Sequence, residues 1–104
     1  MFEIVRGSTP TIKIRIPFPD LTVETGIISI EQNRTPVIVH KLGDGACQII
    51  DGYLMIGLMQ EETFSLSPNL TAFVRGGVKY TTGLRYNTDP VIVEVIDFIP
   101  EDVL

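Results

Sequence analysis

Two side chains with nucleophilic or acid–base chemistry occur once each in this sequence, His40 and Cys47. They flank a Gly-Asp-Gly segment at 43–45, so a hairpin there could bring the imidazole and the thiol face to face. Nucleophilic catalysis by a cysteine requires such a pair. No nucleophile motif surrounds Cys47, so we predict that the chain is not an enzyme. A small cysteine hydrolase is kept as the second alternative function.

Metal and phosphate chemistry lack a recognisable motif. Asp44, Asp51 and Asp89 all lie in turn-forming segments, where an Asp side chain accepts hydrogen bonds from nearby backbone. Their spacing matches neither a calcium loop nor a zinc site. The glycines also fall in predicted turns, not in a phosphate-binding loop followed by a helix. We therefore predict no metal ion, no cofactor and no catalytic residue.

The aromatic residues leave a carbohydrate site open as an alternative. Tyr53, Tyr80 and Tyr86 could together form a platform for sugar rings. Such a module, for a surface glycan or a host protein, would use the loops around residues 80–86 and 33–34. Because the tyrosines are scattered over predicted strands and loops, core or rim positions are the simpler interpretation. This binding module is the first alternative function.

The composition is that of a small β domain. The 104 residues include fourteen Ile and ten Val but two Ala, and β-branched residues favour strands. The net charge of −5, with dispersed Lys and Arg, disfavours nucleic acid as a partner. No apolar run approaches the roughly 18 residues of a membrane helix, and residues 1–7 lack a secretory signal pattern. We predict a single β-sandwich domain, residues 1–104, without a membrane or nucleic-acid partner.

The turn signals predict many short strands. They recur every eight to twelve residues, the spacing typical of a sandwich or a barrel. Residues 11–16 alternate between polar and apolar and form the clearest half-buried strand. One helical turn is expected near residues 59–64, with Glu61 and Glu62 next to its unpaired N–H groups. With no room for helical crossovers, the predicted fold is all-β, an antiparallel immunoglobulin-like β-sandwich of seven or eight short strands.

Three dipeptides predict tight turns between strands. Asn33-Arg34 and Asp51-Gly52 each separate two apolar runs, and Asp-Gly in that position is a strong hairpin signal. Gly76-Gly77 predicts a further hairpin, between a strand at 71–75 and a strand at 78–84.

Three predicted strands, at 37–42, 53–58 and 91–96, carry apolar residues on both faces. A two-layer sandwich buries only one face of each strand, so a loop or another chain must cover the second. The last nine residues are also rich in apolar side chains. We therefore predict a candidate interface formed by Val37, Val39, Tyr53, Met55, Ile92, Ile96, Phe98, Ile99, Val103 and Leu104.

Three short motifs carry a resemblance to a known group of proteins. They are Arg6-Gly7-Ser8-Thr9-Pro10-Thr11 with Pro17-Phe18 after the next strand, Ile30-Glu31-Gln32, and Leu58-Met59-Gln60-Glu61-Glu62-Thr63. With a late hairpin and an apolar C-terminal strand, they resemble small tail- or virion-associated proteins of phages and prophages of gut-type bacteria. More distantly, the chain is similar to the β-sandwich N-terminal domain of phage upper-baseplate proteins.

The resemblance implies a non-enzymatic structural protein of a bacteriophage particle, in the tail, the baseplate or another virion component. It also implies synthesis in the cytoplasm of the bacterial host, many copies per virion, and partners that are further copies of the chain and other virion proteins. Ring- and tube-shaped assemblies join their subunits through repeated heterologous interfaces. Strands that are apolar on both faces are what such a subunit needs.

Overall fold

The computed structural model describes residues 2–18 and 20–97, which form nine strands and one short helix. In chain order the elements are β1 (Phe2–Val5), β2 (Thr11–Arg15), β3 (Val23–Gln32), β4 (Thr35–Lys41), β5 (Cys47–Ile50), β6 (Tyr53–Gly57), α1 (Gln60–Phe64), β7 (Ala72–Tyr80), β8 (Arg85–Asn87) and β9 (Val91–Ile96). The predicted β-rich fold with a helical turn near 59–64 is confirmed. The strand count is not, since the described residues contain nine strands instead of seven or eight.

The strands form two sheets that pack face to face. One has six strands in the order β1-β9-β7-β3-β4, with β8 paired to β7, and the other has three in the order β2-β6-β5. The strand pairs are antiparallel except β1 with β9, which run parallel from Phe2–Val93 to Val5–Ile96. The prediction of antiparallel pairing is wrong for these two strands. Parallel strands need a long connection, and the whole chain between β1 and β9 supplies it.

A single hydrophobic core lies between the two sheets. In β2 the predicted alternation holds, because Ile12 and Ile14 are buried while Lys13 between them is exposed. The largest fully buried side chains come from both sheets and from the segment that crosses between them: Tyr80, Ile4, Ile28, Ile30, Leu54, Ile56, Leu66, Val74, Val93 and Thr63.

The Gly76-Gly77 pair lies inside β7 and not in a turn, so the predicted hairpin there is wrong. Neither glycine has a positive φ, and close packing explains both. A Cβ on Gly76 would lie 2.7 Å from Cδ1 of Ile14 in the opposite sheet. A Cβ on Gly77 would lie 2.6 Å from Oδ1 of Asn87 in β8. The chain turns later, at residues 81–84, and β8 then adds to the same sheet.

The turns at Asn33-Arg34 and Asp51-Gly52 form as predicted. Their φ angles are 53° and 62° in the first and 53° and 79° in the second, as in two-residue type I′ hairpin turns. β3 begins at Val23, and Gly26 lies inside this strand. A Cβ on Gly26 would lie 3.4 Å from Cδ1 of Leu54 in the opposite sheet, an ordinary van der Waals distance, so packing does not require a glycine there.

Candidate functional site

The candidate interface residues lie on two opposite outer faces of the sandwich. The outer face of the six-stranded sheet carries Val37, Val39, Ile92 and Ile96, and that of the three-stranded sheet carries Tyr53 and Met55. The structure therefore divides the candidate interface into two surfaces that cannot contact one flat partner together. The remaining candidates lie outside the described residues: Phe98, Ile99, Val103 and Leu104.

These side chains differ in how far they are exposed. Ile92 is 54% exposed, Val39 47% and Val37 36%. The other three that the structure describes, in β6 and at the end of β9, are half-buried. Among the three strands that the sequence predicts to be apolar on both faces, β4 and β9 therefore carry the most exposed apolar side chains.

The free edge of the six-stranded sheet at β4 is irregular. Its register with β3 shifts between Ile30, which pairs with Ile38, and Glu31, which pairs with Pro36. Val37 is the extra residue of this β-bulge. Bulges and prolines protect edge strands from pairing with another chain. Pairing of another chain along the β4 edge is therefore disfavoured.

Ion pairs cover the centre of the outer face of the six-stranded sheet. Nε of Arg75 lies 2.8 Å from Oε1 of Glu31, and Nζ of Lys79 lies 3.2 Å from Oε2 of Glu24. These pairs link neighbouring strands β7 and β3. The central strands thus satisfy their own charges. The most exposed apolar side chains on this face are Ile92 and Val39, and Ile27 of β3 between them is 41% exposed.

A groove of about 470 Å³ runs beside β9. Its lining includes Leu70 and Thr71 from the loop after α1, together with Ile92 and Glu94 from β9. Leu70 is 41% exposed, so the groove extends the apolar surface of β9. The carboxylate of Glu94 gives the same surface an acidic side chain.

The outer face of the three-stranded sheet is mixed in character. Lys13 pairs in register with Met55, and Arg15 with Tyr53. Nζ of Lys13 lies 5.2 Å from the centroid of the Tyr53 ring, within the range of a cation–π contact. Ile50 of β5 pairs with Tyr53 from the other side, so Arg15, Tyr53 and Ile50 lie side by side across the three strands. This face therefore combines apolar area with two cationic side chains.

Two of the motifs that carry the resemblance contact each other. Oγ1 of Thr63 accepts a 2.9 Å hydrogen bond from the Gly7 N–H and donates one of 2.8 Å to the Ser8 carbonyl. Nη2 of Arg6 donates to the carbonyl of Phe64, and its guanidinium lies 5.7 Å from the centroid of that ring. The turn after β1 is thereby fastened to α1. These motif residues support the fold.

The third motif has a similar role. Gln32 is buried, and its Nε2 donates to the carbonyls of Ser67 and Leu70 at 2.9 and 3.1 Å. Its Oε1 accepts from the Ser67 N–H at 2.8 Å. One side chain at the end of β3 thus holds the loop between α1 and β7. A local sequence pattern cannot identify this role, because the partners are 35 and 38 residues away.

His40 lies between two carboxylates. Its Nδ1 is 2.7 Å from Oδ2 of Asp44, and its Nε2 is 2.6 Å from Oε2 of Glu62. Carboxylates only accept, so both ring nitrogens must donate and the ring is an imidazolium. Burial alone would lower the His40 pKa, but the bonds to Asp44 and then Glu62 outweigh it and raise the pKa above 6.5. The cluster joins β4, the turn before β5, and α1.

Asp44 organises the turn between β4 and β5. Its Oδ1 accepts from the N–H groups of Ala46 and Cys47, each at 2.9 Å. The backbone bond from Ala46 and the bond from His40 are the main causes that lower the pKa of Asp44 to about 2. Glu62 has a second role, because its Oε1 accepts from the Met59 N–H at the start of α1. That contact agrees with the structural role predicted for the acidic residues of this turn.

His40 and Cys47 do not form the thiol–imidazole pair that the sequence left open. Both His40 nitrogens are held by carboxylates, so neither can take a proton from the thiol. Cys47 is only 2% exposed, and burial, followed by the charge of Asp44, raises the pKa of its thiol. The neutral thiol is a small core group. Among the described residues, no group of three or more His, Cys, Asp or Glu is arranged to hold a metal ion.

The three tyrosines do not form a platform. Tyr80 is fully buried, and its hydroxyl donates to the carbonyl of Pro17. Tyr86 packs against the core, and Tyr53 lies on the outer face of the other sheet. A sugar-binding site built from all three rings is therefore excluded by their positions.

Four charged residues of the two outer faces are absent from the candidate interface predicted from the sequence: Glu3, Glu94, Lys13 and Arg15. The alternation of β2 already indicated that Lys13 and Arg15 point outward. The proximity of Glu3 and Glu94 depends on the parallel pairing of β1 with β9, which no local pattern predicts.

Comparison of the chain with protein-family models, with curated proteins and with solved structures found no match. Within the described residues, no helix has the length and apolar character to cross a membrane. Any functional conclusion therefore depends on the residues and surfaces described above.

Proposed function

We propose that this chain is a structural protein of a bacteriophage particle, in the tail, the baseplate or another virion component, and that it acts through subunit–subunit assembly. In this proposal it is not an enzyme, it is made in the host cytoplasm, and it ends in the virion. Its partners are further copies of itself and other virion proteins. The motif resemblance supports the assignment to a phage particle. The apolar side chains on the outer faces of the sandwich support assembly as the mode of action.

The exposed apolar side chains on the outer faces of a small sandwich are the main support. Val39 and Ile92 are 47% and 54% exposed on the six-stranded sheet, in addition to a complete core between the sheets. Burying a fully exposed side chain of this size contributes about 1.5–3 kcal/mol, and roughly half of that remains to be gained at each of these two positions. Covering both faces by neighbouring subunits would use apolar area that the isolated domain leaves in water.

We further propose that the sandwich is immunoglobulin-like. The sheet order supports this, because β2-β6-β5 corresponds to strands B, E and D of such domains, and β9-β7-β3 to strands G, F and C. β4 then takes the position of the C′ strand, and α1 lies in the crossover from E to F. β8 is an addition between F and G.

Particles released by a bacterial strain that carries the gene provide the direct test of the virion role. Mass spectrometry of purified particles should detect the chain at a copy number comparable with that of other structural proteins. Its absence from intact particles, while it is present in the lysate, would overturn the assignment to the virion.

Self-association of the purified full-length chain tests the mode of action. We expect light scattering to show species larger than a monomer, and the substitutions Val39→Thr and Ile92→Thr to reduce them. These changes keep a β-branched residue and remove apolar area. Leu84→Thr is the matched control, because Leu84 is 43% exposed in the β7–β8 turn and lies on neither face. A stable monomer at all concentrations would contradict self-assembly.

A further inference from the structure

Charges separate by sign between the β1–β9 edge of the six-stranded sheet and the three-stranded sheet. The charged residues of β1 and β9 are Glu3 and Glu94, whereas those of β2, β5 and β6 are Lys13 and Arg15. All four are exposed. We name the outer face of β1 and β9 the acidic face, formed by Glu3, Val5, Ile92, Glu94 and Ile96. The outer face of the three-stranded sheet is the basic face, formed by Lys13, Arg15, Gln48, Ile50, Tyr53 and Met55.

The acidic face has an unfavourable arrangement of its own. Glu3 and Glu94 are direct register partners, and like charges opposite each other on neighbouring strands destabilise a sheet. Within residues 2–18 and 20–97 neither takes part in an ion pair, although Arg75 and Lys79 on the same sheet do. A cation from outside would relieve this repulsion.

The basic face has the complementary arrangement. Lys13 lies over the Tyr53 ring, and Arg15 forms no ion pair in the described part of the chain. Lys13 and Arg15 are two residues apart on one strand, so their Cα atoms are separated by about 6.6 Å. Glu3 and Glu94 lie about 4.8 Å apart across two strands, a spacing that two long cationic side chains can match.

We propose that the acidic face of one copy of this chain docks on the basic face of the next copy. The proposal rests on the assembly function proposed above and specifies the surfaces through which it acts. Lys13 and Arg15 pair with Glu94 and Glu3 of the neighbour. The apolar side chains of the two faces, Ile92 with Tyr53 and Met55 among them, cover each other between the ion pairs.

The two faces lie on opposite sides of the sandwich, so the contact is heterologous. Such a contact adds subunits head to tail and either closes into a ring or continues as a filament. Two sheets per subunit, packed about 10 Å apart, give a repeat of about 20 Å along the series. The basic face measures about 14 by 16 Å. Its area is therefore well below the roughly 800 Å² that each partner buries in a stable pair. Each single contact is therefore weak and becomes effective in a closed or multivalent assembly.

Charge reversal of each face tests the proposal on the full-length chain. The first variant carries Lys13→Glu with Arg15→Glu, and the second carries Glu3→Lys with Glu94→Lys. Sedimentation velocity between about 10 µM and 1 mM suits a contact of this size. We expect each variant alone to associate at least about tenfold more weakly than the natural chain, because both of its faces then carry the same sign. An equimolar mixture of the two variants should regain association, since their faces are again complementary.

The control reverses two charges that lie on neither face, Arg34→Glu with Arg85→Glu, and should associate like the natural chain. Regained association in the mixture also shows that both variants are folded. If the natural chain associates and the reversals leave its association unchanged, the face assignment is overturned and the proposed function stands. If the natural chain stays monomeric over the whole range, self-assembly itself is overturned.

Discussion

Nε2 of His40 lies 2.6 Å from Oε2 of Glu62, which follows it by 22 residues and belongs to the helix that crosses between the sheets. With Asp44 on the other ring nitrogen, the contact ties an edge strand, a turn and α1 to one protonated side chain. The histidine considered for catalysis with Cys47 is thus part of a structural link that depends on a proton.

We expect the stability of the protein to fall as the pH rises above about 6.5. Because the folded pKa of His40 is raised, the unfolded chain loses this proton first, and the stabilisation is lost as the pH passes the folded pKa. Urea unfolding between about pH 5.5 and 7.5, a range that spans the titration of an ordinary histidine and ends below that of a thiol, measures the effect. The chain has one histidine, so His40→Gln should remove the slope in this range. Equal slopes in the two proteins would contradict the prediction.

Gly76→Ala should destabilise the protein by about 1–3 kcal/mol, because the added methyl group overpacks the core against Ile14. Gly57→Ala is the control, since a Cβ there meets nothing within 4 Å, and its effect should stay within about 0.5 kcal/mol. Ile14→Val removes Cδ1, so the double variant should lose less stability than the two single variants lose in sum. Strict additivity would show that this contact is not the cause.

Thr63→Val should cost about 1–3 kcal/mol in the free energy of unfolding. Valine keeps the shape of threonine but leaves the Gly7 N–H and the Ser8 carbonyl without their partner in a buried site. Thr11→Val, at an exposed position of β2, should change the stability by less than about 0.5 kcal/mol. Similar losses in both variants would argue against the specific role of the Thr63 hydroxyl.

Cys47 should react slowly with a thiol reagent at neutral pH. Its thiol is buried and its pKa is raised, so the reactive thiolate is both scarce and covered. We expect labelling of the folded chain to be at least about 100-fold slower than labelling in urea, as for a core group exposed only by opening. A native rate close to the unfolded rate would revive the cysteine hydrolase alternative.

The sequence predicted well the elements that depend on neighbouring residues. The alternation of β2 and the turns at Asn33-Arg34 and Asp51-Gly52 are local, and all three form as expected. The hairpin predicted at Gly76-Gly77 is wrong because glycine occurs for two different reasons, a positive φ in a turn and a close approach between strands or sheets. Only the position of Ile14 in the opposite sheet decides between them.

The surfaces were only partly predictable for a related reason. The apolar character of Ile92 and Val39 was visible in the strand pattern, but their separation from Tyr53 and Met55 depends on which sheet each strand joins. The pairing of Glu3 with Glu94 joins residues near the beginning and the end of the chain. No turn, spacing or periodicity encodes that contact.

The parallel pairing of β1 and β9 also determines how the domain responds to mechanical force. Phe2 pairs with Val93 at one end of this ladder, and Val5 pairs with Ile96 at the other. Tension applied through Phe2 and Asp97 pulls the two strands along their length in opposite directions. The four register pairs then bear the load together in shear, instead of opening one after another like a zipper. A domain with this connectivity is expected to resist stretching better than thermodynamic stability alone would indicate.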